Sequence, residues 1–313
     1  MHSHHSHSGQ FCQHAADTLE EMVLRAIDLQ LSLFCLTEHM PRYDVVDLYP
    51  EELESKTTTE DLERTFSAYI TEARRLQEKY KDKIDIIVGF EGEAINSEYT
   101  KYINNIFAQY KPDYFIGSLH HTSGVPIDFD QENWEYALTH SATDAKLINK
   151  LGGINNLFLT YFTEFKKFIT EVDPKPAVIG HLDLITLYSR GVKILKVPLL
   201  IDAISDLIKT AIESNCLFEI NSSGVRKGRA PYPDTLVAKM IIDLGGKFCL
   251  SDDSHNVDQV ALNYSIVCDY VQELGIDTLW RLKLGDNKIT HESFPVTDFR
   301  NWVEKINPPS TTK

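Results

Sequence analysis

Histidine is the residue type here whose number and spacing suggest chemistry. Five of the twelve histidines (His2, His4, His5, His7 and His14) fall within the first fifteen residues, MHSHHSHSGQFCQHA. Neutral imidazole is the commonest metal-ligating side chain. On an extended strand, residues i and i+2 point to one side, so His5 and His7 can serve one metal cluster. A purification tag or disordered His-rich tract is the plain alternative, but tags are uninterrupted runs and this stretch alternates with serine.

The same chemistry recurs downstream. Short apolar runs stop at Glu38-His39, at Glu91 and Glu93, at His120-His121, at His181 and Asp183, and at Asp252, Asp253 and His255. A histidine beside an apolar strand is costly unless it finds a partner, and isolated cases such as His140 or His291 read as ordinary structural residues. The joint set of His5, His7, His39, His120, His181 and His255 reads differently. Glu91 and Asp253 add anionic oxygens able to bridge ions. A nitrogen and oxygen set without thiolates suits zinc, iron or manganese, and its size exceeds what one tetrahedral ion needs. Two or three divalent ions are expected.

Residues so far apart in sequence need a repetitive scaffold to bring them together. The periodicity predicts a helix from Thr18 to about Leu31, with Thr18 and Glu21 as a capping box. It predicts further helices through Leu62–Leu76, Tyr99–Tyr110, Ile154–Ile169, Pro198–Ser214 and Asp234–Leu244, then helical patterning over Val257–Leu274 and Thr278–Leu282. Between them lie strand-like runs: SLFCLTEH, IDIIVGFEGE, YFIGSLHH, AVIGHLD, LFEINSSG and KFCLSDDSH. With the His-rich start these make seven. Strands alternating with helices place their carboxyl ends on one face, as in a β/α barrel. Loops at about 40–58 and 122–153 lie on that face, the longer one reading as a lid, and the Pro/Ser/Thr-rich C-terminus is expected to fray.

Composition excludes several classes. No apolar run approaches a membrane span and the N-terminus lacks the features of a signal peptide, so a cytoplasmic enzyme is expected. A net charge of −15 disfavours a nucleic-acid partner. Cys12, Cys35, Cys216, Cys249 and Cys268 are scattered without CxxC spacing, which argues against disulfides and thiolate zinc, so most are expected to be core thiols. Oligomeric state is not legible.

The ordered set His5-x-His7, His14, Glu38-His39, Glu91, His120, His181 and Asp253-x-His255 resembles the metal-ligand motifs of the polymerase-and-histidinol-phosphatase (PHP) superfamily over about residues 1–256. MHSHHSHSG, CLTEHMPR, GFEGE, GSLHHTSGVPIDFD, EINSSGVRKG and LSDDSH resemble the fungal type of monofunctional histidinol-phosphate phosphatase. The resemblance implies a single-domain α/β fold over 1–313, a distorted TIM-like (β/α)7 barrel with a trinuclear site. It also implies hydrolysis of L-histidinol phosphate in histidine biosynthesis. Metals would lower the pKa of water and neutralise phosphoryl oxygens. His5, His7, His14, His39, Glu91, His120, His181, Asp253 and His255 are then the ligands. Glu91 is the bridging carboxylate, and Asp253 and His255 assist proton transfer. His14 sits one residue farther from His7 than in the common bacterial form, and His2-x-His4 is a competing pair. Arg190 and Arg226 resemble phosphate-binding arginines, and among the acidic residues of the long loops, Asp128 and Asp130 included, Asp128 is the candidate acceptor for the substrate's amine or imidazole. Other readings are a PHP-type nuclease or phosphodiesterase, and a noncatalytic metal-binding barrel.

Overall fold

The computed structural model describes residues 1–140, 153–189, 197–285 and 288–306. Two parallel sheets form the centre. The first has the order β1-β2-β3, from β1 (His2–Ser3), β2 (Leu33–Leu36) and β3 (Asp85–Val88). The second joins β4 (Glu91–Glu93), β5 (Ile116–Ser118), β8 (Val178–Ile179), β9 (Leu217–Asn221) and β10 (Phe248–Ser251), in the order β10-β9-β8-β5-β4. Two short hairpin strands, β6 (His121–Thr122) and β7 (Val125–Pro126), follow β5. Helices alternate with the strands, as the periodicity predicts. The Thr18 capping box forms at the start of the helix Leu19–Asp28.

Backbone hydrogen bonds continue between the two sheets at both edges. At one edge β3 runs directly into β4 through Gly89-Phe90. There the Gly89 amide donates to the Leu36 carbonyl (2.8 Å) and the Ile116 amide to Phe90 (2.9 Å). A Cβ on Gly89 would sit 2.5 Å from the Tyr114 ring, so only glycine lets the strand pass. At the other edge the His4 amide donates to Leu250 (3.2 Å), Asp253 to His5 (3.1 Å) and His7 to Ser254 (2.8 Å).

Alternation along the strands separates two apolar layers. Phe34, Leu36, Ile86, Val88, Phe218, Ile220, Phe248 and Leu250 face the helices in the large core. Leu33, Cys35, Ile87, Ile116, Val178, Leu217 and Cys249 face one another in a small separate cluster. Following that inner phase two residues at a time leads from Cys249 through Ser251 to Asp253, from Cys35 through Thr37 to His39, and from Ile116 through Ser118 to His120. The inner apolar cluster is thus a floor, and the polar residues are the next layers above it.

Three expectations change. Thr278–Leu282 is a strand, β11 (Thr278–Leu284), paired antiparallel with β12 (Ile289–Pro295) and followed by the helix Val296–Ile306. Leu279 and Leu282 are both buried three residues apart, which imitates helical spacing. Pairing with β12 and packing of Leu282 into the floor decide for strand. The 40–58 loop carries a 3-10 turn at Val45–Asp47 and the helix Pro50–Glu54. The 122–153 segment holds the hairpin and the helix Gln131–His140, docked through Trp134, whose indole N–H donates to the Ile185 carbonyl (2.9 Å). The C-terminal residues expected to fray lie outside the described residues. Among the described residues no helix is long and apolar enough to cross a membrane.

Candidate metal centre

The site sits where the parallel strands end, beside a cavity of about 560 Å³. Glu91, the first residue of β4, is its hub. Oε2 faces His39 Nδ1 (3.0 Å), His5 Nε2 (3.3 Å) and His7 Nε2 (3.5 Å). Oε1 faces His181 Nε2 (3.1 Å) and His120 Nε2 (3.4 Å). A second carboxylate, Asp253, places Oδ1 3.5 Å from His7 Nε2 and 3.6 Å from His5 Nε2. His255 lies beside it, with Nδ1 donating to the Asp253 carbonyl (2.9 Å). His14 reaches in from the loop after β1, its Nε2 3.4 Å from that of His39. The structure therefore brings together all the ligand candidates read from the sequence.

Local structure explains these positions. His5 and His7 extend from β1, two residues apart on one side. Asp253 has φ of 50°, a left-handed conformation that Asp tolerates better than most residues. It is held there by its own N–H on the His5 carbonyl and by the Asp252 side chain, which accepts from Ser254 N (3.0 Å) and Ala261 N (2.8 Å).

Two buried nitrogens that face the cluster carboxylates, His5 Nε2 and His7 Nε2, lack hydrogen-bond partners. Such groups are expensive unless something else satisfies them. Five groups of three or four donor atoms lie within 4.8 Å of one another: His5-His7-Glu91, His5-His181-Asp253, His7-Asp253-His255, Glu91-His120-His181 and Cys12-His14-His39-His255. Neutral nitrogen and anionic oxygen in this number fit two or three divalent ions.

The electrostatics agree. Burial alone would lower the His5 and His120 pKa values, but the facing carboxylates, Glu91 above all, raise both well above the usual range. Against the cost of burial, the imidazoles hold Glu91 and Asp253 well below the ordinary carboxylate range. His39 and His255 are pushed down, first by burial and then by the neighbouring His7. The cluster is an anionic core that attracts positive charge.

Behind the imidazoles stands a row of carboxylates, of which the sequence reading singled out Glu38 and Glu93 at the ends of apolar runs but not Glu219. Glu219, mid-β9, accepts from His5 Nδ1 (3.2 Å) through Oε2. Its Oε1 accepts from the His181 amide (2.6 Å) and Asn221 Nδ2 (2.7 Å). Glu93 Oε2 lies 3.3 Å from His120 Nδ1 and 3.0 Å from His121 Nδ1, while its Oε1 accepts from the Tyr49 hydroxyl (2.9 Å). Glu38 accepts from the Ser8 amide (2.8 Å) and lies 3.7 Å from His7 Nδ1. Carboxylates in this place fix the tautomer and aim of a ligating ring. A charged residue inside the apolar run LFEIN was the signal for Glu219. The expectation that most cysteines are core thiols holds for Cys35, Cys216, Cys249 and Cys268, whereas Cys12 Sγ lies in one of the donor groups.

The other residues read from the sequence fall as follows. Asp128 lines the cavity, its Oδ1 buried without a hydrogen-bond partner. Arg226 also lines it, while its two terminal nitrogens donate to the Asp252 and Asp253 carbonyls (2.7 Å each). Arg190 lies outside the described residues. His2 and His4 are directed elsewhere. His4 Nδ1 donates to the Leu250 carbonyl (3.1 Å) and Nε2 accepts from the Leu282 amide (3.0 Å), tying β10 to β11. His2 Nε2 accepts from the Leu250 amide (3.0 Å).

Comparison with known proteins agrees with the geometry. The PHP domain family matches residues 3–223. A Schizosaccharomyces pombe protein named "Probable histidinol-phosphatase" is 39% identical over 287 residues, 90% of each chain. The "Histidinol-phosphatase" of Saccharomyces cerevisiae is 30% identical, covering 96% of this chain and 98% of its own. A histidinol phosphate phosphatase from Lactococcus lactis subsp. lactis, solved with zinc, L-histidinol and phosphate, superposes with a TM-score of 0.62 at 19% identity, over 92% of this chain and 98% of that one. That likeness bears on the fold. The family match and the two fungal relatives together show that the chain belongs to the PHP domain family, among its histidinol-phosphatases.

Proposed function

We propose that the protein is a metal-dependent phosphoric monoester hydrolase that converts L-histidinol phosphate to L-histidinol and phosphate in histidine biosynthesis. The observation that carries this reading is Glu91, whose two oxygens face two separate sets of imidazoles, the arrangement expected of a carboxylate bridging ions. The names of the fungal relatives and the ligands of the Lactococcus structure supply the substrate.

His5, His7, His14, His39, Glu91, His120, His181, Asp253 and His255 would hold two or three ions, with zinc, iron and manganese all compatible. When bound, such ions supply Lewis acidity toward phosphoryl oxygens and lower the pKa of water. The chain's own groups orient and neutralise. Glu219 keeps the His5 ring proton on Nδ1, the nitrogen facing away from the cluster, and Glu38 and Glu93 stand behind His7 and His120. His255, with Nδ1 tied to the Asp253 carbonyl, presents Nε2 toward the cavity as the nitrogen free to hold an ion, which leaves the Asp253 carboxylate to assist proton transfer. Asp253 Oδ1 is the carboxylate nearest that ring. Arg226 fixes the Asp253 backbone and borders the phosphate's place, and by its resemblance to the family's motif Arg190 would be a second phosphate-binding arginine. Asp128 Oδ1, buried and without a partner, is placed to accept from the substrate's cationic amine or imidazole.

The scaffold reading is a closed, distorted (β/α)7 barrel, one domain over 1–313. It is supported by the backbone hydrogen bonds at both sheet edges and by an inner floor drawn from β2, β3, β5, β8, β9 and β10. A small phosphomonoester that carries its own ammonium group suits an acidic protein of the cytoplasm better than nucleic acid does. The test is phosphate release from L-histidinol phosphate, compared with a nucleotide diester and a generic monoester. L-histidinol phosphate should be preferred by at least about a hundredfold in kcat/KM, and a preference for the diester would replace the reading with a nuclease.

A further inference from the structure

We infer that Cys12 is a thiolate ligand of the outer ion, completing a Cys12-His14-His39-His255 seat that selects a zinc-type ion over manganese. The inference rests on the metal-dependent reading above and adds to it a donor, a charge and a metal preference.

The four donor atoms lie within 4.8 Å of one another. Cys12 Sγ is 3.2 Å from His14 Nε2, and that nitrogen is 3.4 Å from His39 Nε2. Two nitrogens each about 2.0–2.1 Å from a tetrahedral ion lie about 3.3–3.4 Å apart, and a sulfur at about 2.3 Å lies about 3.6 Å from such a nitrogen. The nitrogen pair already has this spacing, and the sulfur needs to shift by only a few tenths of an ångström.

Each ring is turned for the purpose by its other nitrogen. His14 Nδ1 is held by Glu51 Oε1 (2.7 Å), His39 Nδ1 faces Glu91 (3.0 Å), and His255 Nδ1 is tied to the Asp253 carbonyl. Carboxylate or carbonyl behind an imidazole is the usual support for a ligating ring. The turn from Ser8 to Ala15 folds the thiol beneath the more exposed His14. Within it the Cys12 amide donates to Ser8 (2.9 Å) and the Ala15 amide to Cys12 (3.2 Å). Cys12 lines a smaller cavity of about 200 Å³, and His14 and His39 line both that cavity and the larger one, so the seat lies between them.

The other thiols do not compete. Cys35 and Cys249 belong to the apolar floor, and Cys216 and Cys268 to the large core. Three imidazoles and one thiolate are borderline-soft donors, which suit zinc and disfavour manganese. On coordination the thiol proton passes to solvent, and the sulfur charge is offset by the ion.

The experiment uses the full-length protein, stripped with chelator and titrated with cobalt(II). The expected result is a thiolate-to-cobalt charge-transfer band in the near ultraviolet, saturating at one ion per chain. The band should be absent from Cys12→Ser and present in Cys268→Ser. Cys12→Ser should also hold its weakest ion at least about tenfold less tightly, with the stripped variant unfolding at the wild-type temperature. Cobalt uptake without the band, or an equal band in Cys12→Ser, would overturn the thiolate assignment and leave the metal-dependent reading standing. If Cys12→Ser does not fold, the wild-type spectrum and that of Cys12→Ala decide in the same way. Failure of the wild-type protein to bind cobalt, zinc or manganese would overturn both.

Discussion

Glu219→Gln isolates the layer of carboxylates behind the imidazoles. Glu219 Oε1 accepts two hydrogen bonds, from the His181 amide (2.6 Å) and Asn221 Nδ2 (2.7 Å), whereas Oε2 accepts only from His5 Nδ1 (3.2 Å). Glutamine has nearly the same shape but a single oxygen. That oxygen keeps the doubly bonded side, which turns the amide NH2 toward His5 Nδ1. His5 must then accept at Nδ1 and carry its proton on Nε2, the atom facing Glu91 and Asp253. A protonated Nε2 cannot offer its lone pair to an ion. The loss of such an outer partner costs about 10–100-fold in metal affinity, or about 1.4–2.7 kcal/mol. Removing one member of the buried Glu219–His5 pair should also destabilise the stripped protein, by up to about 3–5 kcal/mol. The assay is competition for zinc against a chromophoric chelator, alongside thermal unfolding of the stripped proteins. Zinc affinity within twofold of wild type, in a folded Glu219→Gln protein, would refute the reasoning.

Five further outcomes follow from the same geometry. His4→Ala leaves the buried Leu282 amide unpaired, while the Leu250 carbonyl keeps the His4 amide, and it should cost about 1–3 kcal/mol in denaturant unfolding with metal content per folded chain unchanged. His5→Ala should do the reverse, losing metal and activity together, and equal metal loss in both variants would count against this division. Burial lowers the His4 pKa to about 4, below its unfolded value of 6.5, so the neutral ring's contribution is complete above about pH 6.5 and fades as pH falls through 4. The stability gap between stripped wild type and His4→Ala should therefore narrow by up to about 3 kcal/mol over that window, and a constant gap would contradict the assignment. Arg226→Lys loses one of two carbonyl bonds to the Asp252-Asp253 turn and should lower kcat/KM by about tenfold or more; wild-type kinetics would remove Arg226 from the site. Asp128→Asn should raise KM for L-histidinol phosphate by about tenfold but not for a generic monoester, and a parallel rise for both would exclude specific recognition of the cation.

The fold was legible where alternation and helical spacing act locally. Thr18 and Glu21 announced a cap that forms, and the apolar runs ending in His, Glu or Asp announced where strands stop. Most of the candidate ligands were legible for the same reason, since they follow apolar runs, where an ionisable residue is out of place. What was lost depends on contacts distant in sequence. Leu279 and Leu282 imitate a helix until Ile289–Pro295 pairs with them. Glu219 looked like one charged residue in a strand until His5, more than two hundred residues earlier, was found against it. Cys12 looked like a stray thiol because its neighbours His39 and His255 come from other strands. His2 and His4 differ from His5 and His7 only in where β1 directs them, and the adjacent strands β2 and β10 decide that direction.

The central claim is that this carboxylate and imidazole cluster hydrolyses L-histidinol phosphate only when it holds metal. The direct measurement is phosphate release from that substrate by protein stripped with chelator and then reloaded with zinc or manganese, with the bound metal counted by elemental analysis. Release should fall to background in the stripped protein and return as two to three ions per chain are restored. Full release by protein carrying no metal would contradict the account.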